Sequence, residues 1–102
     1  MPKGPPPRID FSGKGLSEFT QKEIEKEKHS DKAQTLFLNK NKLTSLHPSL
    51  SAYSNLKALF INSNNFTELP SPICNLLTLE KLHAENNKIN KIPPGIGKSI
   101  WQ

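Results

Sequence analysis

Apolar side chains return every 23 residues along this chain, in three successive copies. The copies read AQTLFLNKNKLTSLHPSLSAYSN from Ala33, LKALFINSNNFTELPSPICNLLT from Leu56 and LEKLHAENNKINKIPPGIGKSIW from Leu79. One apolar column is Ala33, Leu56 and Leu79, the next Leu36, Leu59 and Leu82, the third Leu38, Ile61 and Ala84. Three more follow: Leu43, Phe66 and Ile89; Leu46, Leu69 and Ile92; Leu50, Ile73 and Ile96. Asn41, Asn64 and Asn87 hold one fixed polar position in the period. Each L-x-L stretch alternates its side chains, which predicts a short strand with one buried face. A fixed period of this length predicts a solenoid, with parallel strands stacked side by side over one continuous core. The returns between strands carry Pro70, Pro72, Pro93 and Pro94. They are too short for long helices and predict helical turns, 3₁₀ pieces or extended segments. The fold class is α/β.

A degenerate fourth copy precedes the clean ones. Ile9 to Leu16 fits the same frame, with Lys14 where the asparagine stands elsewhere and Phe19 in the next apolar column. From Ile9 to Leu36 is 27 residues, four more than the period. The excess falls on a helical signal. Thr20 and Glu23 form a capping box, and Phe19 with Ile24 is placed as a hydrophobic staple. The charged EIEKEKHS run then predicts a solvated helix face near residues 20–29, shielding the first apolar repeat from water. The chain thus divides into a basic, proline-rich tail (1–8), a degenerate repeat with capping helix (9–32) and three repeats (33–102).

The frame L-x-x-L-x-L-x-x-N-x-L resembles the leucine-rich repeat, in three copies of unbroken register from Ala33 onward. The segments Glu68-Leu69-Pro70-Ser71-Pro72-Ile73 and Lys91-Ile92-Pro93-Pro94-Gly95-Ile96 resemble the intracellular, Ras-suppressor-like class with 23-residue repeats. Repeat one departs from it, with His47 where the proline should stand and Pro48 following. The resemblance implies a right-handed solenoid with its sheet on the concave face and short helical or irregular convex returns. It implies that Asn41, Asn64 and Asn87 are a buried structural ladder, their amides bonding backbone of the turn and the adjoining repeat. It also implies a non-enzymatic module that binds a protein partner, with signalling adaptor as the expected role.

In that sheet the x positions of L-x-L face the concave solvent side, and equivalents form ladders. The central ladder is Asp10, Phe37, Phe60, His83; beside it run Ser12, Asn39, Asn62, Glu85, and then Gly13, Lys40, Ser63, Asn86. Arg8, Thr35, Ala58 and Lys81 stand on the other side. The core has no need of Phe37 and Phe60. An aromatic pair on a concave sheet is a candidate hot spot, because buried aromatics dominate interface energetics; cross-strand support of the sheet is the plainer explanation. The expected partner-binding set is Phe37, Phe60, His83, Asn39, Asn62, Glu85 and Lys81.

Composition narrows the remaining classes. One cysteine, Cys74, excludes an internal disulfide framework, and no apolar run reaches membrane-spanning length. A cytoplasmic location, with access to the nucleus, is the expectation. The net charge of +5 raises an alternative: an electrostatic binder of nucleic acid or an anionic membrane surface. Its lysines are spread over the tail, the charged helix and the post-strand turns, without an arginine cluster, so solubility accounts for them better. After Ile96, Ile100 and Trp101 no polar cap follows, which raises self-association through this end, or a fragment of a larger multidomain protein.

No catalytic residue, metal site or cofactor is expected. His29, His47 and His83 lack metal-ligand spacing with Cys74, and Cys74 has no sequence-adjacent base. Gly95-Ile96-Gly97-Lys98-Ser99 looks like the end of a phosphate-binding loop, but Ile92 stands where its first glycine is required.

Overall fold

The computed structural model describes residues 8–27 and 29–93. The N-terminal tail up to Pro7, and the column residue Ile96 with Ile100 and Trp101, lie outside the described residues. Four strands, β1 (Arg8–Asp10), β2 (Thr35–Phe37), β3 (Ala58–Phe60) and β4 (Lys81–His83), form one parallel sheet in the order β1-β2-β3-β4. Ile9 pairs with Leu36, Leu36 with Leu59 and Leu59 with Leu82, so the sequence columns are the sheet register. The strand β1 begins at Arg8, the last residue of the basic tail.

The core follows the columns. Ala33, Leu36, Leu38, Leu43, Leu50, Leu56, Leu59, Ile61 and Phe66 are completely buried, and Ile9, Phe19 and Ile24 extend the cluster toward the N-terminus. At the other end the columns open. Leu46 and Leu69 are buried, yet Ile92 of the same column is 48% exposed, contrary to its expected place in the core. A repeat's return is covered by the repeat that follows it, and no described repeat follows the third. The same cause leaves Ile89 only half-buried, while Leu43 and Phe66 are sealed.

The returns are 3₁₀ turns at Pro48–Ala52 and Ser71–Asn75, each opened by proline within its first two positions. Proline fixes φ and has no N–H to strand at such a start. Where repeat one substitutes His47, the imidazole Nδ1 accepts from the Ser49 N–H at 3.0 Å, so a side chain caps the turn.

The helix α1 (Gln21–Lys26) is shorter than the run 20–29 expected from its charge pattern. Its only buried residue is Ile24, and Glu27 already takes an extended conformation. Further turns would bury nothing, and a short polar helix earns little stability without packing. The capping box is present: one Glu23 carboxylate oxygen accepts from the Thr20 N–H at 2.8 Å and from its hydroxyl at 2.6 Å. These bonds, the hydroxyl first, lower the Glu23 pKa from its ordinary value.

Candidate functional site

Parallel in-register strands place equivalent residues about 4.8 Å apart. On the face away from the core this spacing turns the central ladder into a column of rings. Phe37 and Phe60 stack with centroids 4.8 Å apart and planes inclined by 22°, and Phe60 and His83 lie 4.4 Å apart at 5°. Each ring is half-buried, because its neighbours shield its faces. Asp10 heads the same ladder, but its carboxylate turns along its own strand to accept from the Ser12 N–H and hydroxyl. Those bonds, the hydroxyl first, hold its pKa below the ordinary value.

The flanking ladders differ in character. Lys81 and Glu85 are exposed at the β4 edge, whereas Thr35, Ala58, Asn39 and Asn62 are half-buried beside the rings. The Oδ1 atoms of Asn39 and Asn62 are enclosed without a hydrogen-bond partner among the described residues. Gly13, Lys40, Ser63 and Asn86, expected as a third ladder, instead make the turn that ends each strand. All four take left-handed backbone, with φ between 58° and 63°. Only Gly13 does so without a Cβ penalty; at the other three positions the conformation costs about 1–2 kcal/mol. Gly13 and Asn86 are the two residue types at this position that suit a left-handed turn.

The asparagines stabilise that strained turn. Asn64 Nδ2 donates to the carbonyls of Leu38, Ile61 and Asn62 at 3.0, 2.9 and 3.2 Å, while its Oδ1 accepts from the Leu43 N–H at 3.0 Å. Asn41 donates to Phe11, Leu38 and Asn39 carbonyls and accepts from the Lys14 and Leu16 N–H groups. Asn87 repeats the pattern, linking the Ile61, Ala84 and Glu85 carbonyls to the Asn64 and Phe66 N–H groups. Asn41 and Asn64 are buried; Asn87, in the last described repeat, is half-buried.

Such side-chain bridges, recurring between successive turns of a solenoid, belong to a particular repeat. The model of the Leucine Rich Repeat family matches residues 55–76 and 78–99. Residues 55–99 carry two leucine-rich repeats. No curated protein matches the chain. The two matched leucine-rich repeats contain β3 and β4, and the strand register extends the same geometry back through β2 to β1.

Leucine-rich repeats generally mediate protein–protein interaction. The described residues contain no group of three or more His, Cys, Asp or Glu side chains placed to hold a metal ion. Cys74 is a half-buried free thiol on the second 3₁₀ turn, away from the ring column on the opposite face of the leucine-rich repeats. No helix is long and apolar enough to cross a membrane among the described residues.

Proposed function

We propose that this chain is a non-enzymatic protein-interaction module that binds a protein partner on the open, concave face of its sheet. The stacked column Phe37–Phe60–His83 carries the reading. It presents contiguous aromatic surface that the core does not use, flanked by Asn39 and Asn62 and bounded by Lys81 and Glu85. A rigid aromatic centre with a polar rim is the anatomy of an interface hot spot. The role of signalling adaptor rests on the resemblance to Ras-suppressor-like repeats, and the cytoplasmic location on the cysteine-poor composition.

The test is affinity capture with the native chain beside a Phe37→Ala/Phe60→Ala double variant shown to be folded by circular dichroism. A protein retained by the native chain and lost by the variant supports the reading. A partner held equally by both places the interface elsewhere. Binding that collapses between low and physiological salt points instead to an electrostatic contact with nucleic acid or anionic lipid.

A further inference from the structure

The centre of the ring column presents edges, not faces, to the concave side. Phe60 is covered on both faces, by Phe37 at 4.8 Å and by His83 at 4.4 Å, with planes inclined by 22° and 5°. What stays open is its rim of C–H groups, the positive part of an aromatic quadrupole. A cation needs the other part, because it sits over a ring face. The column therefore disfavours Lys or Arg from a partner. It suits carboxylates, carbonyls and the π faces of other rings.

The flank of the column has the same polarity. Asn39 and Asn62 are half-buried with Oδ1 enclosed, so the accessible part of each amide is its Nδ2 donor. Beyond them lie the turns that end the strands, residues 12–17, 39–44, 62–67 and 85–90. These turns carry exposed Lys14, Lys40, Lys42 and Lys88 against Glu85 alone. The parallel register gathers onto this border lysines that lie far apart in the sequence. On the opposite border the segments leading into β2, β3 and β4 (29–34, 55–57 and 78–80) are balanced, with Lys32 and Lys57 against Asp31 and Glu80. Asp10, the acid at the head of the ring ladder, is already bonded to Ser12.

We infer that the partner of the concave face is an acidic protein segment bearing aromatic side chains, its rings against the edges of Phe37 and Phe60 and its carboxylates toward Asn39, Asn62 and the lysine border. The inference rests on the concave-face reading and gives that surface a chemistry. Ring edges, amide donors and lysine charge are three separate features of one sign, and one occupant meets all of them. Edge-to-face contact holds the partner's rings, while charge complementarity orients it and speeds encounter. A basic segment would meet positive edges, donors and lysines at every one of these contacts. A nucleic acid or lipid held by the lysines would leave the rings unused.

Selection of short random peptides displayed on phage tests this, on the full native chain beside a Phe37→Ala/Phe60→Ala variant folded by circular dichroism. Sequences retained by the native chain and lost by the variant should be rich in Asp, Glu, Tyr, Phe and Trp and poor in Lys and Arg. One such peptide, synthesised and titrated by fluorescence anisotropy, then probes the flank. Asn62→Asp exchanges the outward donor for an acceptor of nearly the same shape, and Lys42→Glu/Lys88→Glu reverses two exposed charges. Each variant, folded by circular dichroism, should weaken the peptide about tenfold or more. Ring-dependent peptides that lack acidic residues, or that bind these charge variants as tightly as the native chain, would overturn the inference and leave the concave-face reading standing. Acidic peptides that bind the double Phe variant undiminished would also overturn it, because the lysine border then acts without the rings. A selection that yields no ring-dependent peptide overturns both readings.

Discussion

Asn64 bonds the Leu38 carbonyl at 3.0 Å from one repeat further along the chain, and the same amide nitrogen holds the Ile61 carbonyl of its own repeat at 2.9 Å. One side chain therefore ties two strand ends and a left-handed turn together. Replacing Asn64 by Ala strands the buried Leu43 N–H, while the Leu38, Ile61 and Asn62 carbonyls keep Asn41, Asn87 and the Lys40 N–H as donors. One unsatisfied buried group costs about 1–3 kcal/mol, and Asn64→Ala should lower stability by that amount in a denaturant titration. Asn64→Asp, nearly identical in shape, should cost more at neutral pH, because it loses the donor and sets a carboxylate against three carbonyl oxygens.

The ring column and the core beneath it should separate cleanly on mutation. Leu59→Ala removes a fully buried side chain and should destabilise by roughly 2–5 kcal/mol. Phe37→Ala loses one stacking contact on a half-buried face and should cost about 0.5–1.5 kcal/mol. Phe60→Ala should cost more than Phe37→Ala, since Phe60 stacks on both Phe37 and His83. Chemical denaturation of the three variants checks the order.

Tyr53 is completely buried beside Phe19, and its hydroxyl has no hydrogen-bond partner among the described residues. Burial first, and then the nearby Glu27 carboxylate, push its pKa upward. The phenol therefore stays neutral, and its oxygen is a polar atom in an apolar place. Tyr53→Phe keeps the ring and removes that atom, so it should be neutral or stabilise by about 1 kcal/mol. A fall in melting temperature by more than a few degrees would show that the hydroxyl is bonded in solution.

The Thr20–Glu23 box gives α1 a pH-dependent component. The Glu23 pKa is lowered in the folded chain by the Thr20 hydroxyl and N–H, so its stabilisation is complete above the unfolded glutamate value of about 4.3. It is lost as pH falls through the lower folded value. Glu23→Gln should flatten the acid limb of the stability curve in that window. Thr20→Ala should cost about 0.5–2 kcal/mol at neutral pH. Thermal melts at a series of pH values distinguish the two.

The 23-residue period by itself determined most of the architecture. Its columns named the sheet register, the core from Leu36 to Ile73 and the asparagine ladder, because a solenoid repeats one local packing problem and solves it identically each time. Phe37, Phe60 and His83 were readable as a surface ladder for the same reason. What the period could not state was anything that depends on a neighbour being present or absent. Only the tertiary structure decided that Ile92 stands half in solvent, that α1 stops at Lys26 once Ile24 is covered, and that His47 caps a turn where proline was due. Only it decided that the rings stack face to face, and that Lys40, Ser63 and Asn86 spend their conformation on a left-handed turn. Periodicity encodes which side chains point inward; the cost of a turn, the angle of a ring and the exposure of an end are settled by the residues packed around them.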